Sequence, residues 1–258
     1  MNFALWMLVE EAVTLLEVGQ FPDSWTNDLF VPPKNFDSRK KARRFLKWLQ
    51  GLGVDVNKYI DAMEDGKPVE VPLPFGGGAV GKAIPLGNYV VKFTPDKREA
   101  QYAMKLVGHT MENIARIYDV VQIPGEFIMP DSGSKKEIYA IVQEKLSVGA
   151  PKKLRVAGDM VYTYLDKFAQ PLEDVDAAYS YIMKNLLPAK WKGDKDVERL
   201  TRQVLDAVKK LQDEKGITYR DPHGGNLKYR GRQPAFFDVG RSTPMPNAKF
   251  GAPKVLGA

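Results

Sequence analysis

The chain has no cysteine and only two histidines among its 258 residues. This excludes disulfides, a cysteine nucleophile and any zinc site built from cysteine and histidine. It also fits a reducing compartment. No apolar run reaches eighteen residues, so no membrane-spanning helix and no membrane partner are expected. The stretch from Phe3 to Leu16 is apolar, but Glu10 and Glu11 interrupt it and no basic residue precedes it, which argues against a signal peptide. Internal repeats and low-complexity tracts are missing too. Neither sign of charge dominates. A net charge of +6 permits nucleotides, nucleic acids or phospho-groups as partners and requires none of them.

What is present is ordinary for a globular protein: 44% hydrophobic and 27% charged residues, enough for one large domain or two small ones. Residues 1–66 read as helical, with an amphipathic face at Leu5, Leu8, Val9, Ala12 and Leu16. A second helix is capped by Ser38 and carries Phe45, Leu46 and Leu49, and a third runs from about Val56 to Met63. Residues 67–146 read as short strands at Val69 to Leu73, Lys82 to Leu86, Asn88 to Phe93, Ile114 to Gln122 and Glu137 to Gln143. Pro95 opens one helix among them, running to about Val107. Residues 147–258 are again mostly helical, at Met160 to Phe168, Leu172 to Leu187 and Asp196 to Lys215. In the last of these, Val197, Leu200, Val204, Val208 and Leu211 mark the apolar face and Gly216 the stop. The last sixteen residues, with three prolines and two glycines, read as an extended tail. The fold class expected is α+β.

The densest chemistry lies in Asp221-Pro222-His223-Gly224-Gly225-Asn226, with Asp238-Val239-Gly240 beginning twelve residues after the Asn. Between them, Leu227 to Arg230, Gly231-Arg232 and Gln233 to Phe237 read as strand, turn and strand. A hairpin brings its ends together, so Asn226 and Asp238 are expected side by side. An amide oxygen beside a carboxylate suits a hard divalent cation. A turn rich in Gly, Pro and Asp without chemistry is the alternative. His223 reads either as a brace for the loop or as a polar residue filling it.

A second glycine cluster, Gly76-Gly77-Gly78-Ala79-Val80-Gly81, fits three patterns. The dinucleotide-binding pattern needs a helix directly afterwards, and Lys82 to Gly87 reads as strand and turn. The Walker pattern G-x-x-x-x-G-K-S/T lacks its hydroxyl, because Ala83 follows Lys82. A glycine-rich hairpin folded over nucleotide phosphates needs a strand on each side and a lysine on the next strand, where Lys92 stands. Lys92 is then a placed cation, held by Glu99 from the following helix, or else a solvated strand lysine with Glu99 an exposed helix charge.

From about Val69 to Ser242, about two-thirds of its length, the chain resembles the eukaryotic-type protein kinases and their minimal relatives. Gly76, Gly77, Gly78 and Gly81 resemble the glycine-rich loop, Lys92 the strand-three lysine and Glu99 its helix partner. Ile138 to Leu146 resembles strand five plus the adenine-binding hinge, with Gln143 as gatekeeper and Glu144 and Leu146 as backbone contacts. Gly216 to Asp221 resembles the approach to the H-R-D loop, with Tyr219 in place of His, and Asp238-Val239-Gly240 resembles D-F-G. The D-x-H-x-G-N form of the loop is similar to that of aminoglycoside- and choline-kinase-like phosphotransferases, UbiB-like kinases and the small serine/threonine kinase of T7-like phages. The last is the best overall likeness.

The resemblance implies a bilobal fold with an antiparallel-sheet N-lobe (67–146), a reduced helical C-lobe with a tail (147–258) and an N-terminal helical extension (1–66). It implies ATP and Mg²⁺, with Asp221 orienting or deprotonating the acceptor hydroxyl and Asn226 and Asp238 holding the metal. Lys92, fixed by Glu99, would neutralise phosphate. Protein substrates, host proteins among them, and a cytoplasmic location follow, the cytoplasm being the bacterial host's for a phage-encoded chain. Two departures stand out. Only seven residues separate Lys92 from Glu99, so the helix is shortened and Glu112 is a fallback partner. Only twenty residues follow Asp238, too few for an activation loop and substrate platform, so Arg220 has no activation-loop phosphate to pair with. Small-molecule phosphotransfer and a non-catalytic, host-protein-binding role are the competing readings. The cluster Arg39, Lys40, Lys41, Arg43, Arg44 and Lys47 reads as a solvated helix face or as a contact for acidic partners.

Overall fold

A computed structural model describes residues 38–66, 68–70, 82–129, 133–146, 151–168, 171–231, 233–238 and 242–244. The first expected amphipathic helix, the glycine cluster Gly76 to Gly81 and most of the expected tail lie outside them. The described part is a mixed α+β protein with a curled five-stranded sheet and six α-helices.

Helices α1 (Ser38–Gly51) and α2 (Asn57–Asp65) precede the sheet. Ala42, Phe45, Leu46 and Leu49 recur at helical spacing and are fully buried. With Tyr59, Ala62 and Met63 of α2 they cover one face of the sheet. The sheet comprises β1 (Val69–Glu70), β2 (Lys82–Leu86), β3 (Tyr89–Thr94), β4 (Ile117–Ile128) and β5 (Lys135–Glu144), in the order β1-β4-β5-β3-β2. It is not wholly antiparallel, because β1 pairs in parallel with the far end of β4, Val69 beside Phe127. Strand β4 also runs six residues beyond its expected end. A register shift between Ile123 and Phe127 absorbs Pro124 and Gly125, with Gly125 at φ 140°.

Helix α3 (Lys97–Leu106) lies on the opposite face of the sheet. Its cap is Asp96, not Pro95: the Asp96 carboxylate accepts the N–H groups of Arg98 and Glu99. Alternation along β3 sends Tyr89, Val91 and Phe93 toward α1 and α2. Lys92 falls on the α3 side, opposite Ile141 of β5.

Helices α4 (Lys152–Phe168), α5 (Val175–Asn185) and α6 (Lys195–Lys215) follow. The expected apolar face of α6 is buried at all five positions, Asp194 caps its start and Gly216 ends it in the left-handed conformation at φ 58°. Helix α4 starts eight residues earlier than expected. One buried cluster runs from α3 and the sheet into α4, α5 and α6.

Strand β6 (Ile217–Tyr219) leads into the loop 220–223, a single 3-10 turn at Gly224–Asn226 and the hairpin β7 (Leu227–Arg230) and β8 (Gln233–Phe236). The chain then returns as β9 (Ser242–Pro244), antiparallel to β6, so the start of the expected tail is a paired strand.

Among the basic residues of α1, Lys41 departs from a solvated face. It is largely buried and its Nζ lies 2.8 Å from Asp119 Oδ1 of β4. Burial pushes the Asp119 carboxyl up, and Lys41 opposes the shift. No helix among the described residues is long and apolar enough to cross a membrane.

Candidate functional site

The expected Lys92–Glu99 pair forms, and a third group joins it. Lys92 Nζ lies 2.5 Å from Glu99 Oε1 and 2.8 Å from Asp238 Oδ2. Strand β3 supplies the lysine and the first turn of α3 the glutamate, while the residues after β8 bring in an aspartate 146 positions away. Burial works against the Lys92 charge, but the two carboxylates outweigh it and its pKa is raised. Glu99 is 3% exposed. Burial pushes its pKa up to about 7, the negative Asp238 adds to the rise, and Lys92 only partly reverses it. One ammonium thus faces two carboxylates, and the more buried one retains its proton further toward neutrality. The fallback Glu112 is exposed and lies outside this cluster.

Asp221 and Asn226 form the second half of the site. The Asn226 amide Nδ2 donates to the Asp221 main-chain oxygen at 3.0 Å and to its Oδ2 at 3.2 Å. His223 caps the 3-10 turn: its Nδ1 accepts the Gly225 N–H at 2.9 Å, which requires that nitrogen to carry no proton. Nε2 is then the protonated nitrogen of a neutral ring, and it lies 3.7 Å from Asp221 Oδ1. The bracing reading of His223 is the one that matches this geometry. A Cβ on Gly225 would sit 2.5 Å from His223 Cε1, so the histidine cap itself requires glycine at 225.

Tyr219 ties the two halves together. It is fully buried, and its hydroxyl lies 2.9 Å from the Asp221 main-chain oxygen and 2.6 Å from that of Asp238. Burial raises its pKa well above the ordinary phenol value, which maintains it as a donor. The hairpin adds a direct link, because the Phe237 N–H donates to the Asn226 main-chain oxygen at 3.2 Å. The ends of the hairpin therefore meet as its length predicts.

Two features escaped the reading of the sequence. The first is Arg230. Its guanidinium grips the Glu144 carboxylate through Nε and Nη2, and the main-chain oxygens of Met111 and Ile114 at 2.6 Å each. It joins β7, the end of β5 and the segment after α3. A lone arginine on a short strand carries no local signal of this. The second is the contact of α4 with the Asp221 loop. A Cβ on Gly158 would lie 2.6 Å from the Pro222 oxygen and 2.5 Å from Leu227 Cδ1; one on Gly224 would lie 2.4 Å from Arg155 Cα. Gly158 sits in mid-helix, where glycine costs about 1 kcal/mol relative to alanine. That misfit was the available clue.

The remaining expected nucleotide contacts are less complete. Gly76, Gly77, Gly78 and Gly81 lie outside the described residues. Glu144 ends β5 with its side chain committed to Arg230, and its N–H donates to the Arg116 oxygen at 2.8 Å. Leu146 is buried against Ala115, Ala235 and Phe237.

For a divalent cation, the donors at hand are hard oxygens. Asn226 spends its NH₂ on Asp221, which is the flip that reserves its amide oxygen for a cation. Among the described residues no cluster of three His, Cys, Asp or Glu could hold a metal. Asn226 and Asp238 offer an amide oxygen and a carboxylate, the kinds of oxygen donor that Mg²⁺ takes beside substrate phosphates.

No protein-family model matches the chain, and no curated protein matches it.

Proposed function

We propose that the chain is an ATP- and Mg²⁺-dependent phosphotransferase of the protein-kinase-like type, acting on serine or threonine hydroxyls of proteins. The observation that carries this reading is the joining of Lys92, Glu99 and Asp238 to Asp221 and Asn226 through the hydroxyl of Tyr219. These are the groups phosphoryl transfer needs, in two clusters held by one buried side chain.

Phosphoryl transfer is mainly positioning and charge neutralisation. Lys92 would pair with the α- and β-phosphates, and Glu99 would hold its ammonium in place. Asp221 would orient the acceptor hydroxyl and take its proton, while Asn226 and His223 hold the loop that carries it. Mg²⁺ bound by Asn226 and Asp238 would neutralise charge on the β- and γ-phosphate oxygens. The bilobal arrangement belongs to the same proposal, with the five-stranded sheet as the nucleotide side and α4 to α6 as the acceptor side.

A small cationic acceptor is the second reading, favoured by the D-x-H-x-G-N form of the loop. It calls for free acidic groups in the helical part. Asp174 caps α5 and Asp176 pairs with Arg202 at 2.5 Å, so these two acidic residues of the helical part already have internal roles.

The test is incubation with γ-labelled ATP and Mg²⁺, alone and with a bacterial lysate, beside Asp221→Asn. Label on the protein itself or on lysate proteins, absent in the variant, is expected. Mg²⁺-dependent ATP binding without protein labelling would move the assignment to a small acceptor. Absence of ATP binding would end the kinase reading.

A further inference from the structure

Helix α4 presents one stripe to the Asp221 loop. Arg155, Gly158, Asp159 and Tyr162 follow the i, i+3, i+4, i+7 spacing of a single helix face. Each meets the loop in a different way. The backbone of Arg155 lies against Gly224, and Gly158 lies against Pro222, Gly224 and Leu227. The Tyr162 ring meets the His223 ring edge-on at 6.0 Å between centroids. Asp159 supplies the one polar bond of the stripe: its Oδ1 accepts the Gly224 N–H at 2.9 Å.

This last bond has a particular place in the loop. Gly224 opens the 3-10 turn, and the first N–H groups of such a turn have no partner within it. His223 satisfies the N–H of Gly225 from inside the loop. Asp159 satisfies the N–H of Gly224 from outside, with a charged acceptor. The turn that separates Asp221 from Asn226 is thus capped twice, once by its own histidine and once by α4. The two glycines let the backbones approach closely enough for the second cap. A Cβ on either would push helix and loop apart and lengthen a hydrogen bond whose strength falls steeply with distance.

We infer that Asp159 is a positioning residue for the Asp221–Asn226 loop, with helix α4 as the rigid base against which the reacting carboxylate and the metal-binding amide are set. The inference rests on the phosphotransferase reading for its catalytic consequence, but not for the anchoring itself. Asp159 touches neither Asp221 nor Asn226 in the contacts it makes; it acts through Gly224. A helix is a stiffer mount than a loop, and small misplacements of reacting groups are costly in rate. Loss of the anchor should therefore lower turnover more than ATP affinity, because Lys92 and Asp238 lie on the other side of the site.

The experiment compares wild type with Asp159→Ala, Asp159→Glu, Asp159→Asn and, as a control two turns along the same helix, the exposed Asp166→Ala. Two readouts are taken: hydrogen exchange of the Gly224 amide by NMR, and kcat and KM for ATP from label transfer or ATP hydrolysis. Asp159→Ala is expected to speed Gly224 exchange by about 10-fold or more, the size of a lost charge-assisted bond. It should lower kcat by about 10-fold and change KM by less than about 3-fold, as a loss of positioning does. Asp159→Glu retains the charge but moves it one methylene, so it should behave like the alanine variant and covers the case in which alanine at 159 fails to fold. Asp159→Asn retains an acceptor oxygen in place without the charge and should fall between wild type and the alanine variant in both readouts; Asp166→Ala should match wild type. Unchanged Gly224 protection in Asp159→Ala and Asp159→Glu would overturn the inference. So would faster exchange with unchanged kcat. If the wild-type protein neither binds nor turns over ATP, the phosphotransferase reading fails separately, and the exchange arm alone decides whether Asp159 anchors the loop.

Discussion

The two halves of the site are built by different physics. Lys92 and Glu99, neighbours in sequence, and Asp238, 146 positions on from Lys92, are held together by charge, with Glu99 almost fully buried. The Asp221–Asn226 loop is held by close backbone packing against α4, by the Asp159 carboxylate accepting the Gly224 N–H and by the His223 cap. Charge acts over distance and tolerates small shape changes but responds to protons. Backbone contact at 2.4 to 2.6 Å from a missing Cβ tolerates almost no added atom. Burial of charge makes the first half the one to probe with pH, and close packing makes the second the one to probe with a methyl group.

The largest effect is expected where chemistry and packing meet. Asp221→Asn retains the shape of the loop and removes the proton acceptor, and should lower kcat by about 10²-fold or more with ATP binding intact. Steady-state kinetics beside nucleotide titration checks this, and full activity in the variant would refute the role of Asp221.

Next comes the methyl test. Gly158→Ala should destabilise the fold by about 1–3 kcal/mol, because the new carbon meets the Pro222 carbonyl and the Gly224 nitrogen, which cannot yield as the Leu227 side chain can. Gly51→Ala, at the end of α1 with open space around it, should leave stability unchanged or raise it by up to about 1 kcal/mol. Urea unfolding of the two variants measures the contrast, and equal effects would remove the case for close packing.

The proton test follows. The folded-state pKa of Glu99 lies above its unfolded value of 4.5, so the folded protein binds that proton more tightly. Its stabilising contribution is complete below about pH 4.5 and is lost as pH rises toward about 7. The stability of wild type relative to Glu99→Gln should fall across that window, and a flat difference between the two unfolding curves would contradict the assignment.

The smallest effect is expected at the exposed pair Arg43–Glu64, 3.2 Å apart with both side chains about half exposed. Arg43→Ala should shift stability by less than about 1 kcal/mol, and a larger loss on denaturation would mean α1 is held by more than its buried face.

Much of the architecture was legible locally. The buried face of α6 and its glycine stop, the β7–β8 hairpin and the alternation of β3 all follow from periodicities of two or 3.6 residues and from turn residues between them. The Lys92–Glu99 pair was legible because a strand and the helix after it are neighbours in sequence. Lys41 was misread for the opposite reason. It lies within a basic run that looks solvated, and its partner Asp119 is 78 residues away on the strand that α1 covers. Arg230 is similar, since its partners are a carboxylate at 144 and main-chain oxygens near 111 to 114. Strand β9 was unreadable because three residues carry too little pattern to predict a partner.

The separation is one of range. Helix faces, caps, turns and the spacing of Asp221, Asn226 and Asp238 are set by interactions within a few residues, which a linear pattern records. The third partner of Lys92, the double grip of Tyr219, the Arg230 clamp and the seat of the Asp221 loop on Asp159 arise only when distant segments share one interior. There, burial removes water as a competing partner, and each polar group must find its match wherever the chain has brought one.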